Sequence, residues 1–205
     1  MNNFIKRTIS GVGFAAVMLA AFLTNEYVFG AVMLFCLIVM MKEFLNITCG
    51  KDYKYSQILS ILAGATLFTL VYCYKIGWLP GRLVILSFVP VFILMINSLY
   101  VKDKTRFDRF ANLYTAILYI AVPWSVLNFA AFAQEGGAFD GKLLLCFFGI
   151  IWGSDVGAYI FGITLGQKYG KKLFPSISPK KSWIGFWGGM FAAVGVAVAL
   201  YYLDL

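Results

Sequence analysis

The sequence predicts an all-α, polytopic integral membrane helix bundle with about seven transmembrane helices. Hydrophobic residues make up 61% of the 205 positions and charged residues only 13%, with a mean hydropathy of +0.84. A soluble domain of this length cannot bury so much apolar surface. The apolar residues fall into seven runs, at about 8–24, 27–41, 57–74, 83–99, 113–133, 143–165 and 183–203. Lys and Arg then divide sharply between the two sets of connecting segments, fourteen on the N-terminal side and three on the other.

The first run opens with the basic MNNFIKRTIS and resembles a signal peptide, but no small-residue cleavage site is evident and more spans follow, so it reads as a retained helix. Runs one and two are short for a bilayer that needs about 20 residues. A re-entrant pair is therefore an alternative for them, and it would leave the later topology unchanged. The remaining five runs each reach spanning length. Their polar connections at 50–56, 100–112 and 134–142 are short. No polar linker divides the chain, so 1–205 reads as a single transmembrane domain, with N-terminal spans in 1–142 and a distinct final segment in 143–205. No repeat of fixed period is visible.

The charge split orients the chain. Lys6 and Arg7, Lys42, Lys51 and Lys54, Lys102, Lys104, Arg106 and Arg109, and Lys168, Lys171, Lys172, Lys180 and Lys181 share one side; Lys75, Arg82 and Lys142 take the other. The positive-inside rule places the N-terminus in the cytoplasm. The net charge of +8 is explained by this dispersal over loops, so no nucleic-acid partner is expected. The absence of histidine removes imidazole catalysis and His-ligated zinc. Cys36, Cys49, Cys73 and Cys146 form no C-x-x-C pair and read as small apolar residues.

Of the nine acids, only Asp155 lies deep within an apolar run, in LLLCFFGIIWGSDVGAYIFGITLG; the others, including Asp103, Glu135 and Asp204, fall in loops or near span ends. A carboxylate at mid-bilayer costs about 3 kcal/mol on insertion scales, and is tolerated where it faces a cavity, a cation or a metal. At 100° per residue, Asp155 shares a face with Phe148, Ile151, Ala158, Tyr159 and Gly162, while Gly149, Gly153 and Gly157 form a small-residue stripe on the far side where another helix can approach closely. The plainer alternative is that Asp155 bonds a neighbouring Ser or Tyr and joins helices.

The loop GQKYGKKLFPSISPKKS, 166–182, carries five lysines and no acid. A positive-inside anchor is its plain reading. Ser178 suits an N-cap and Pro179 the first helical position, which would put Lys180 and Lys181 in the first turn of the last helix. Cations oppose the helix dipole there, so an anion is expected between them. Ser178, Lys180, Lys181 and Ser182, with free N–H groups, would then bind phosphate.

The stretch from Ser154 to Gly189 resembles the phosphatidate cytidylyltransferases, also called CDP-diacylglycerol synthases. DVGAYIFG at 155–162 stands where that family commonly shows D-T-G-A-Y, and SPKKSWIGFWGG at 178–189 where it shows S-P-x-K-T-x-E-G-x-x-G-G. About 35 residues carry the specific match. Asp155, Ser178, Lys181 and Ser182 match functional or signature positions; Lys180 occupies a variable one. Ile184 stands where the family usually has Glu. The family usually continues with further spans and a C-terminal signature rich in Lys, Asp, Gly and His, so the resemblance implies that the chain is a shortened form of a longer protein or a truncated paralogue, with little activity alone.

The implied reaction joins CTP and phosphatidate into CDP-diacylglycerol and pyrophosphate, with Asp155 and Lys181 catalytic, Asp155 holding Mg²⁺ or another divalent cation, and the membrane lipid as second substrate. The implied setting is a bacterial inner membrane, with a homodimer as an open expectation. Two alternatives stand beside it: a CTP-dependent lipid kinase, and a transporter component with Asp155 as a cation or proton site. One deep acid and no inverted repeat weigh against the transporter.

Overall fold

The computed structural model describes residues 3–102, 107–132 and 137–203, residues 3–10 by backbone alone. Asp103, Lys104, Arg106, Glu135 and Asp204 lie outside the described residues. The chain is helical almost throughout: α1 (Asn3–Leu23), α2 (Glu26–Thr48), α3 (Lys54–Lys75), α4 (Gly81–Leu99), α5 (Phe107–Ala131), α6 (Lys142–Gly166) and α7 (Trp183–Tyr202). Between α6 and α7 stands a hairpin of β1 (Lys172–Phe174) and β2 (Ser178–Ser182). Six of the helices, α2 to α7, are long and apolar enough to cross a membrane, and α1 is apolar over Gly11–Leu23. The fold is thus an all-α polytopic membrane protein, with seven helices among the described residues where seven apolar runs were read.

The second run is longer as a helix than as an apolar stretch. Its helix continues through the polar Lys42 and Glu43 to Thr48, and its 23 residues span roughly 34 Å. Asn25 starts it: the Asn25 side-chain oxygen accepts from Val28 N at 3.0 Å, a standard N-cap.

Contacts divide the chain into two compact units, Met1–Gly141 and Lys142–Leu205. In the first, Phe29, Met33, Leu37, Met41 and Leu45 recur every fourth residue along α2 and are wholly buried. Four-residue spacing makes one ridge along a helix, and that ridge meets its neighbours. Gly64 on α3 lets α2 and α5 close in: a Cβ there would lie 2.9 Å from Ala121 Cβ. Hydrogen bonds then tie helix to helix. Ser60 Oγ donates to Leu113 O at 2.7 Å, Trp124 Nε1 to Met33 O at 2.8 Å, and Tyr72 Oη to Glu26 O at 2.9 Å. Such bonds compensate for the weak hydrophobic drive between helices in lipid.

Two helices carry irregular turns. Ile117–Ala121 in α5 is π-helical. Pro123 follows and has no N–H to offer the carbonyl of Tyr119, so the ladder widens ahead of it. Gly162–Gly166, at the end of α6, is π-helical as well, and residues 167–171 connect it to the lysine-bearing hairpin.

Candidate functional site

The second unit is a helical pair with a hairpin at one end. Gly149, Gly153 and Gly157 do form the side of α6 on which a neighbour closes. A Cβ on Gly153 would come within 2.6 Å of Val196 Cγ2, and one on Gly157 would overlap Ala192 Cβ and lie 2.9 Å from Gly188 O. The partner surface on α7 is built the same way: a Cβ on Gly189 would lie 2.9 Å from Ser154 O, and one on Gly185 3.0 Å from Ala158 O. Small residues on both helices let the backbones approach. Ala158 is therefore turned partly toward α7 rather than standing wholly on the Asp155 face.

Asp155 is exposed on the side of α6 that α7 leaves open, with Ile151 and Tyr159 exposed beside it. It makes no hydrogen bond or ion pair among the described residues. It lies eleven residues before Gly166, roughly 16 Å along the helix from its hairpin-side end. Ser178, Lys180, Lys181 and Ser182 are brought together on one strand; no ion pair links Asp155 to them.

The start of the last helix needs correction. Ser178 is not its N-cap, and Pro179, Lys180 and Lys181 are not in its first turn. Residues Ser178–Ser182 form β2, paired antiparallel with β1 in the register Lys172 with Ser182 and Phe174 with Ser178. The cap is Ser182, whose Oγ accepts from Gly185 N at 3.2 Å. A proline at the start of a two-stranded hairpin costs little, because one edge has no partner to lose. The lysines therefore precede the helix and escape its unfavourable first turn. Trp183 N donates to Lys171 O at 3.0 Å. Two of the N–H groups at the α7 start are thus taken within the chain, and the free donors expected after Pro179 belong to a strand.

Lys180 and Lys181 are exposed, Ser178 is half-buried, and Ser182 is buried at 3% exposure. Gly166 and Gly170 close around that serine. A Cβ on Gly166 would overlap Ser182 Oγ, and one on Gly170 would lie 3.1 Å from Ser182 Cβ. Gln167 links the strands, donating through Nε2 to Lys180 O at 2.8 Å and accepting at Oε1 from Lys172 Nζ at 2.9 Å. Sequence reasoning missed Gly166, Gln167 and Gly170. The available signal was a lone amide between two glycines four residues apart, in a segment otherwise basic.

A divalent cation fits this unit only in part. Asp155 offers one carboxylate, and no cluster of three His, Cys, Asp or Glu side chains stands among the described residues. Mg²⁺ is commonly held by one or two carboxylates with substrate phosphates and waters completing its shell. Asp155 can serve in that way, beside phosphate oxygens rather than in a ready protein cage. The hairpin supplies the complementary element, cations without acids: no Asp or Glu occurs between residues 156 and 203.

A family model described as the cytidylyltransferase family matches residues 5–204. The chain is 32% identical over 155 residues to a phosphatidate cytidylyltransferase of Rickettsia bellii, covering 75% of this chain and 62% of that protein. It is 28% identical over 169 residues to one of Staphylococcus haemolyticus, covering 82% of this chain and 60% of the relative. A third, from Staphylococcus aureus, is 35% identical over 98 residues, 47% of this chain and 36% of that protein. The chain thus spans less than two thirds of the length of these relatives. No solved structure matches it.

Proposed function

The chain belongs to the cytidylyltransferase family, and from that premise we propose that it carries out, or carries part of, CTP:phosphatidate cytidylyl transfer. The single observation that carries this reading is the second unit's arrangement: an acid-free lysine strand, hydrogen-bonded through Gln167, beyond the end of the helix that bears the lone deep carboxylate. Family membership favours neither the lipid kinase nor the transporter.

In the proposed reaction an oxygen of the phosphatidate phosphate attacks the α-phosphorus of CTP. A new P–O bond forms, the bond to the bridging oxygen breaks, and pyrophosphate leaves with the electron pair. No covalent protein nucleophile is needed, so the absence of histidine is no obstacle to the chemistry. What such a transfer requires is in-line positioning and neutralisation of negative charge. Lys181, with Lys180 and Ser178 beside it, supplies cationic and hydroxyl donors to phosphate oxygens. Ser182 acts chiefly by fixing the strand to the helix, although its hydroxyl proton remains available. Asp155 would contribute a carboxylate oxygen to Mg²⁺ or another divalent cation, which supplies charge neutralisation when bound. The proposed setting is a bacterial inner membrane with the N-terminus and the hairpin on the cytoplasmic side, where CTP is available, and a homodimer is compatible with it.

The test is CTP-dependent conversion of phosphatidate to CDP-diacylglycerol by the protein expressed from its natural gene, with cation flux measured in the same liposomes. Conversion with stoichiometric pyrophosphate release is expected. Flux that requires Asp155, with no nucleotide-dependent lipid product, would overturn the reading.

A further inference from the structure

Exposed apolar side chains on α6 and α7 are what spanning helices present to lipid. The hairpin is different, because it lies outside both spans. Yet Phe174 is 57% exposed and Ile177 83% exposed, side by side at its tip. Ile177 N donates to Phe174 O at 3.2 Å, which closes the turn and holds the two side chains at one end. Pro175 and Ser176 between them are exposed too. Behind the tip stand Lys171, Lys180 and Lys181, all exposed and with no ion pair to an acid among the described residues. An aqueous loop has no reason to pair bare Phe and Ile with unneutralised lysines. A bilayer surface matches both: acyl chains accept the tip, and anionic headgroups accept the cations.

Geometry limits where the hairpin can go. Its base is tied to both spans, through Trp183 N to Lys171 O and through Gln167 to Lys180 O. Its arm, from Ser182 back to Ser178, is roughly 15 Å long. A short arm fixed at the end of two membrane helices stays within reach of the headgroup layer.

We propose that the β1–β2 hairpin is a lipid-surface anchor. The Phe174–Ile177 tip enters the acyl boundary of the bilayer, and the lysines behind it hold the phosphates of anionic lipids. The lysine strand therefore meets a lipid phosphate arriving sideways through the membrane. That this lipid is the substrate rests on the cytidylyltransferase reading; the anchoring does not.

The full chain with Ile177→Cys, labelled at that thiol with an environment-sensitive fluorophore, is reconstituted into phosphatidylcholine vesicles with and without phosphatidylglycerol, in the absence of nucleotide. Signal from the four native cysteines is removed by labelling the unsubstituted chain in parallel. Ser176→Cys, a polar and exposed site, serves if Ile177→Cys fails to fold. Lipids brominated along the acyl chain should quench the label more than aqueous iodide does. Acetylation of Lys180 and Lys181 by a water-soluble amine reagent should fall severalfold when phosphatidylglycerol is added, whereas free inorganic phosphate at the same charge should not protect them. Quenching by iodide alone would make the hairpin a solvated loop. A tip reached by neither quencher would be packed against protein, and lysines indifferent to phosphatidylglycerol would have no anionic-lipid role; each result overturns the proposal. Anchoring without CDP-diacylglycerol formation would leave the anchor standing and remove the enzymatic reading, so the two failures are distinguishable.

Discussion

Two serines four residues apart take different work. Ser182 caps α7 and is buried, while Ser178 sits at the far end of β2. Replacing a capping serine with alanine costs about 1 kcal/mol, so Ser182→Ala should lower the thermal unfolding temperature in detergent and Ser178→Ala should barely move it. Equal shifts would return the cap to Ser178. The lysines divide in a similar way. A charge-assisted contact to phosphate is worth roughly 1.5–3 kcal/mol, so Lys181→Ala should reduce kcat/KM by about tenfold to a hundredfold. Lys168, upstream of the hairpin, should matter much less, and equal losses at the two positions would mark the segment as a charge anchor alone. Asp155→Asn should insert normally yet lose most turnover; activity close to that of the parent at ordinary Mg²⁺ would sink its metal role.

At the level of elements, the spans were legible because a bilayer imposes one length and one polarity on each helix. The glycine stripe of α6 was legible for a related reason: helical periodicity alone puts Gly149, Gly153 and Gly157 on one side. The start of α7 was not. Ser-Pro-Lys-Lys satisfies the local rules for a helix N-terminus, and what overrules them is non-local: Lys172 and Phe174 pair with β2, while Gly166 and Gly170 make room for Ser182. The openness of the Asp155 face likewise depends on where α7 packs, which no single-helix projection contains. The packing itself is testable through two glycines. At Gly157 even a Cβ meets Ala192 and the Gly188 carbonyl, whereas Gly195 has open space around it. Overpacking a tight contact costs typically 1–3 kcal/mol. Gly157→Ala should therefore destabilise the α6–α7 pair, while Gly195→Ala should be neutral or gain up to about 1 kcal/mol of helix propensity. Unfolding midpoints in one detergent compare them directly, and equal tolerance would dissolve the interlocking-glycine account.

For the whole molecule, orientation joins the residue chemistry to the substrates. With α1 to α7 each read as a crossing, six crossings precede the hairpin and a seventh follows it. On that reading the hairpin is expected on the same membrane side as the N-terminus, the side to which the loop count assigns fourteen of the seventeen Lys and Arg residues. Basic residues in short loops resist translocation, so this side is expected to be cytoplasmic. The expectation has a functional edge, because a lysine strand facing outward would never meet a cytoplasmic nucleotide. In intact cells an impermeant maleimide should label Trp78→Cys, in the turn between α3 and α4, and leave Lys168→Cys unlabelled until the membrane is opened. Both side chains are exposed in the fold, so a lack of labelling at Lys168→Cys before lysis, with labelling after it, reports sidedness rather than burial. Native cysteines are accounted for by the unsubstituted chain under the same treatment. Labelling of Lys168→Cys from outside would invert the topology, and with it remove the hairpin from any CTP-dependent reaction.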